Sequence, residues 1–471
     1  GKDYNIIFRT SSGSAPPAQV KAFADTWKWS SDSERLYRDV VEKGGGLAER
    51  LRGLRQFLRE SDVMAYLCMM APRLVELRRV LKPNGSIYLH CDPSSSHYLK
   101  LLMDGVFGAG CFRNEIIWRY RRWPTKARRF QRMHDVLFFY TKSGSDGHTF
   151  NQLYDALAES TLKTWGTKKQ AAVFDGEGNR LRSSNTDVDS DGAKMSDVWD
   201  IKIIAPVSKE RTGFPTQKPE ALLERIISAS SKEGDVVLDP FCGCGTAVAA
   251  AERLKRRWLG IDVTHLAINL IKHRLVAAGS GKFRVVGEPT TVDGAAELAQ
   301  NDPYQFQWWA LGLVGARPSE QKKGADRGID GQIFFHDDER SGATKQILIS
   351  VKAGGTGAAH VRDLRGVLER DGAEIGVLIS MKEPTQAMVV EASKAGFYES
   401  PWGSHPRLQL LTVDELLNGK SIDYPGPRQS NLTIKRTLRK TKPSENLYLP
   451  GLANAGQNDN DAEASRKRTA G

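Results

Sequence analysis

The stretch Leu238–Val263, LDPFCGCGTAVAAAERLKRRWLGIDV, decides the fold. Asp235 to Leu238 is a short, β-branched apolar run and predicts a buried strand. Asp239 to Thr246 is a glycine turn, and Ala247 to Leu254 is built of strong helix formers. Trp258 to Ile261 predicts a second strand that ends on Asp262. The unit is β-α-β, with an acid at the tip of the second strand about twenty residues after the turn, an arrangement that holds the adenosine half of a nucleotide-like cofactor. Glycines let the backbone approach such a ligand without a Cβ in the way. Asp262 can accept hydrogen bonds from two ribose hydroxyls.

Bulk properties bound the rest. A chain of 471 residues has room for two or three domains. The net charge of +12 suits a polyanionic partner and says nothing by itself about fold. The five cysteines, Cys68, Cys91, Cys111, Cys242 and Cys244, show no zinc spacing. No signal peptide or long apolar run is present, so a reduced, cytoplasmic setting with no membrane contact is expected. The first residue is Gly1, not Met, which reads as a fragment or trimmed chain.

Upstream of the glycine turn, Tyr4 to Phe8 predicts a short strand and Phe23 to Trp29 a polar helix. Val63, Tyr66, Leu67, Met70, Leu74, Leu77 and Val80 recur at helical spacing after Ser61, and Lys82-Pro83-Asn84-Gly85 stops that helix. Ser86 to His90 predicts a strand, with Ser94 to Ser96 capping a helix over His97 to Phe107. Arg113 to Lys142 is the most basic and aromatic segment. Arg119, Arg121, Arg122, Lys126, Arg128, Arg129 and Arg132 interleave with Trp118, Tyr120, Trp123 and Phe130. Cations there can neutralise phosphates and aromatics can stack on bases, so Arg119, Arg121, Arg122, Arg128 and Arg129 are the candidate DNA contacts. His134 to Thr141 predicts a buried strand, and the polar region 143–200 an insertion. Thr216 is expected to cap a helix over Glu220 to Ser230, and Lys282 to Val286 to form one more edge strand.

The phrase Asp-Pro-Phe-x-Gly-x-Gly-Thr at Asp239 to Thr246 resembles the cofactor motif of the β-class DNA amino-methyltransferases. Three more phrases agree with that family in the same order: KPNGSIYLHCDPSSSHYLKLLMDGVFG from Lys82, FRNEIIWRY from Phe112, and TQKP at Thr216 to Pro219. The resemblance covers residues 1–284, with a recognition region at about 118–205. It implies a Rossmann-like α/β domain that transfers a methyl group from S-adenosylmethionine to N6 of adenine or N4 of cytosine in a flipped base of double-stranded DNA. Asp239, Phe241, Gly243, Gly245 and Thr246 would form the cofactor turn, Asp262 would hold the ribose, and Lys218 would help close over the methionine end. No covalent cysteine is needed, so Cys242 and Cys244 are expected to be packing residues.

One departure stands out. In this family a catalytic Asp-Pro-Pro-Tyr/Phe lies immediately before a phrase like KDYNIIF, here Lys2 to Phe8, and the chain starts after it. The expectation is that this polypeptide binds cofactor weakly, or in an incomplete pocket, and does not methylate, whereas the complete gene product does.

Residues 285–300 read as a linker and 301–424 as a second, smaller α/β domain. GADRGIDG at Gly324 to Gly331 and SVK at Ser350 to Lys352 resemble the Mrr-like branch of the PD-(D/E)XK restriction-endonuclease-like fold. The resemblance implies a nuclease site with Asp330 as ligand of a metal such as Mg2+ and Lys352 as its charge-stabilising partner. Ser350 stands where that site usually has an acid or Gln, leaving Asp326 or Glu320 as substitutes. The basic tail, 425–471, is expected to be disordered. The function this organisation implies is a restriction-modification DNA methyltransferase with a fused nuclease-like domain. The alternative is a non-catalytic DNA-binding protein with a degenerate nuclease fold. The oligomeric state is open, a homodimer among the forms allowed.

Overall fold

A computed structural model describes residues 28–425 except 125, 127, 182, 209, 215, 281, 320–327 and 338–343. The expectations for Tyr4 to Phe8, most of Phe23 to Trp29, Glu320, Asp326 and the tail beyond 425 lie outside the described residues. Three helices open the described chain: α1 (Ser31–Glu42), α2 (Gly45–Leu58) and α3 (Asp62–Val80). The first two were not read from the sequence. Ser61 caps α3 by accepting from the Met64 N–H.

The first sheet contains β1 (Ser86–Cys91), β2 (Phe112–Arg119), β3 (His134–Thr141) and β4 (Val198–Asp200), ordered β1-β3-β2-β4. Helix α4 (Ser96–Phe107) lies between β1 and β2 in sequence. Its N-cap, Ser95, makes no side-chain capping bond, and Ser94 turns instead to Asp92 Oδ1. The central strand β3 is covered on both faces, which explains its unbroken apolar run. Val136, Phe138 and Tyr140 face a core with Leu51, Met64, Leu67, Leu74 and Leu102. Leu137 and Phe139 face a second core with Ile116, Trp118, Trp199 and Leu222. Each such fully buried side chain stabilises the fold by roughly 1.5–3 kcal/mol.

The region 143–200 forms short two-stranded pieces, Tyr154–Asp155 with Ala193–Lys194 and Lys168–Ala171 with Ser184–Asp189, before β4 joins the main sheet parallel to β2. Helix α5 (Glu220–Ser230) follows. Its N-cap is Pro219, with no side-chain cap, so Thr216 does not cap it.

The glycine stretch forms β5 (Val236–Asp239), α6 (Thr246–Arg253) and β6 (Arg257–Gly260), followed by α7 (His265–Ala277). β5 and β6 are parallel and, among the described residues, pair only with each other. The expected strand at Lys282 to Val286 is absent, and those residues are irregular. They lack a neighbouring ladder to join.

Half of the span expected to be a linker is helical. Helix α8 (Val292–Asn301) buries Ala295 fully and packs Leu298 into the core that holds Phe306, Trp309 and Phe335. Helix α9 (Pro303–Leu313) comes next, capped by Asp302. The second sheet runs Arg317–Pro318, β7 (Gly331–Phe335), β8 (Lys345–Lys352), β9 (Ile375–Ser380) and β10 (Leu408–Thr412). Its first pairs are antiparallel and β8-β9-β10 are parallel. Helix α10 (Ala358–Asp371) and Gln386–Ser393 cover one face, and α9 covers the other.

Helix α9 also packs on α7. Asn269 Nδ2 donates to Trp308 O over 2.8 Å, and the His265 N–H to Gln305 Oε1 over 3.0 Å. Among the described residues no helix is long and apolar enough to cross a membrane.

Candidate cofactor site and nucleic-acid face

The turn between β5 and α6 depends on two glycines with left-handed backbones. Gly243 has φ +49° and Gly245 φ +72°. A Cβ on Gly245 would lie 2.5 Å from Ile271 Cγ1, so space as well as torsion excludes a side chain there. The acid two residues beyond the next strand closes the turn. Gly243 N donates to Asp262 Oδ2 over 2.9 Å, and Thr264 donates to Oδ1 from both N and Oγ1, at 2.9 Å each. A carboxylate has about four acceptor positions, so roughly one is left on Asp262 for a ligand hydroxyl, not the two the sequence suggested.

Asp239 ends β5 and accepts from Phe241 N at 3.2 Å. Burial raises its carboxyl above the usual range, the nearby Asp262 charge adds to this, and Lys218 opposes it. Lys218 donates to Thr216 O over 3.1 Å. Phe241 is half exposed and Thr246 is buried as the first residue of α6. The structure therefore brings Asp239, Gly243, Gly245, Thr246, Asp262 and Lys218 to one end of β5 and β6. Cys242 and Cys244 are buried, and burial pushes the Cys242 thiol up to about 12, which keeps it protonated and fits a packing role.

Two residues the sequence reading missed lie in the first sheet, within reach of the Lys218 charge. His90 Nε2 lies 3.1 Å from Asp135 Oδ2, and Tyr120 donates to Asp135 Oδ1 over 3.0 Å. Burial lowers the His90 pKa, Asp135 resists this, and the Lys218 charge adds to the lowering. The available signal was positional: His90 stands near the end of one apolar strand and Asp135 near the start of its antiparallel partner.

Above this network, β2 and β3 are joined by the basic segment. Arg121, Arg122, Lys126, Arg128 and Arg129 are exposed, as are the Trp123 and Phe130 rings. Trp118 and Tyr120 are not available to stack on bases, because both are buried in the core. Arg119 is exposed but paired with Asp200. Arg122 lies 4.9 Å from the centre of the Tyr120 ring.

In the second domain Asp330 immediately precedes β7. Its Oδ2 accepts from Val351 N at 2.6 Å and from Ser350 Oγ at 3.3 Å, and Lys352 Nζ is 3.8 Å away. Gln307 of α9 donates to Oδ1. The acid and lysine expected together are together. The carboxylate is, however, ringed by donors, an environment unlike the several oxygen ligands a hard divalent cation requires. Among the described residues no group of three or more His, Cys, Asp or Glu is placed to hold a metal.

Residues 36–273, just over half of the chain, match the DNA methylase family. Residues 304–418 match a family described as NACHT-associated inactive Restriction Endonuclease 1. The chain is 33% identical over 208 residues to the type II methyltransferase M.HpaI of Haemophilus parainfluenzae, covering 44% of this chain and 59% of that protein. It is 31% identical over 206 residues to the DNA adenine methyltransferase YhdJ of Escherichia coli, covering 44% and 65%. To the type II methyltransferase M2.DpnII of Streptococcus pneumoniae it is 50% identical over 88 residues, covering 19% and 33%. The chain thus spans less than two thirds of the length of each of these relatives.

Proposed function

We propose, from the premise that this chain belongs to the DNA methylase family, that it binds S-adenosylmethionine at the β5–α6 turn and serves methylation of an exocyclic amine, N6 of adenine or N4 of cytosine, in double-stranded DNA. The observation that carries the reading is the glycine turn closed by Asp262, with Asp239 and Lys218 at the same sheet end. S-adenosylmethionine supplies a methyl group on a sulfonium cation. The residues here fit its carrier: left-handed glycines open the backbone to a ligand, Asp262 keeps an acceptor for a ribose hydroxyl, and Asp239 offers negative charge. Lys218 suits a carboxylate at the other end. Cys242, held protonated, takes no part. The exposed Arg121, Arg122, Arg128 and Arg129 would meet backbone phosphates. The relatives named as type II methyltransferases support a place in restriction-modification.

Calorimetric titration with S-adenosylmethionine tests the cofactor assignment: saturable one-to-one binding is expected, and no binding by the folded protein overturns it. For the substrate, DNA from a methylation-free host expressing the whole gene is expected to contain N6-methyladenine or N4-methylcytosine by nucleoside mass spectrometry. Unmodified DNA despite soluble protein would overturn that part.

For residues 301–424 the arrangement around Asp330 favours a nuclease-like fold that does not cut DNA. The donors around Asp330 leave no fit for Mg2+.

A further inference from the structure

Three helices meet at the Glu220 carboxylate behind the glycine turn. Arg274, in the last turn of α7, extends Nη1 to Cys244 O at 2.8 Å and to Thr246 Oγ1 at 3.3 Å. Its Nη2 donates to Glu220 Oε1 over 2.6 Å. The other oxygen of Glu220 accepts from Arg253 Nη1, on α6, over 2.7 Å. Glu220 opens α5, two residues after Lys218, and its own N–H donates to Glu210 Oε1 at 2.7 Å. Only 11% of the Arg274 side chain and 24% of that of Glu220 is exposed. Burial disfavours a charged Glu220, yet Arg253 and Arg274 more than offset it and hold the carboxyl below its usual range.

We infer that Arg274 is a positioning residue for cofactor capture, fixing the distance between the glycine turn and the Lys218 wall through Glu220; this rests on the cofactor reading above. Cys244 lies between the two left-handed glycines, so the orientation of its carbonyl sets the path of the turn. Arg274 holds that carbonyl with one nitrogen and the start of α5 with another. A planar guanidinium can serve both partners at a fixed spacing, and a lysine ammonium is a point charge that cannot span them in the same way. The brace therefore joins the part of the pocket that would take adenosine to the part that would take the methionine tail. Nothing in this role requires Arg274 to touch the ligand.

The role predicts a change in discrimination. A ligand that reaches both walls benefits from their fixed spacing, and one that reaches only the turn does not. S-adenosylmethionine is the first kind and 5′-deoxy-5′-methylthioadenosine, which lacks the amino-acid tail, is the second. Calorimetry with both ligands on wild type, Arg274→Lys and Glu220→Gln, each checked for folding by circular dichroism and thermal melting, reads the ratio of the two dissociation constants. The expected result is a fall in preference for S-adenosylmethionine of at least about fivefold in both variants, the low end of usual coupling between two contact sites. The double variant should fall no further than the single ones, because each breaks the same link. A ratio unchanged in the folded variants, even with both affinities reduced, would make Arg274 a stabilising residue only and overturn the inference. If wild type itself bound no S-adenosylmethionine, the cofactor reading would fall, and this inference with it.

Discussion

Gly243 and Asp262 are nineteen residues apart and joined by one hydrogen bond of 2.9 Å, from a turn amide to the carboxylate just beyond the next strand. The acid that would receive the ligand therefore also shapes the loop that would cradle it. Asp262→Asn keeps the size but weakens charge-assisted bonds to Gly243 and Thr264, and hydrogen bonds to charged groups contribute about 1.5–3 kcal/mol each. A loss of S-adenosylmethionine affinity of about tenfold or more is expected, together with a lower melting temperature in the absence of ligand. Calorimetry and thermal denaturation check the two effects separately.

Gly245→Ala should destabilise by roughly 1–3 kcal/mol, from left-handed torsion and overpacking against Ile271. Adding Ile271→Ala relieves the contact and leaves the torsion. Urea denaturation of the four proteins should show the pair less destabilised than the sum of the single changes.

DNA affinity should fall with salt, and the slope identifies which cations meet phosphate. Arg128→Ala with Arg129→Ala is expected to lower the slope by about two, near the 0.9 per contact of duplex DNA. Arg119→Ala should leave it almost unchanged, because Asp200 already neutralises that guanidinium. Fluorescence anisotropy on one duplex at several salt concentrations measures this. Equal slopes for all variants would remove the basic segment from the DNA face.

Stability should rise with pH from about 5 to about 7 and level off above. Burial lowers the pKa of His90, His265 and His273. As pH falls through the ordinary histidine value of about 6.5, the unfolded chain takes up protons that the folded chain refuses, so protonation favours unfolding. Urea midpoints across this window test the sign, and His273→Asn should flatten the slope.

Mg2+ should not raise the melting temperature, since only a ligand that prefers the folded state stabilises it. Asp330→Asn should cost about 2 kcal/mol, because the Val351 amide loses a charged acceptor. A metal-dependent rise in melting temperature, abolished by Asp330→Asn, would restore the metal assignment.

Much of this site was legible because its signals are local. The glycine turn of GCGT, the acid of GIDV and the short apolar strands on either side each fit within a few residues, and the strands form within one residue of the expected bounds. What the sequence hid depends on long-range contact. Trp118 and Tyr120 look like the neighbouring exposed aromatics, and only the covered face of β2 separates them from Trp123 and Phe130. Arg119 looks like any basic residue until Asp200 arrives beside it. His90 and Asp135 are 45 residues apart and meet because β1 and β3 are antiparallel neighbours. Helix α8 reads as a linker in sequence because its apolar stripe, Ala295 and Leu298, is short and only packing reveals its use.

Helix α9 finishes two structures at once. Gln305 receives the His265 amide on the methylase side, and Gln307, two residues on, donates to Asp330 in the other domain. A shuffling event that broke the gene in the span between α7 and α9 would leave Asn269 without the Trp308 carbonyl to which it now donates, and the His265 amide without Gln305. The two halves are thus poor candidates for independent exchange between genes. Descent should preserve them as a pair, with the shared helix changing more slowly in sequence than a connector would.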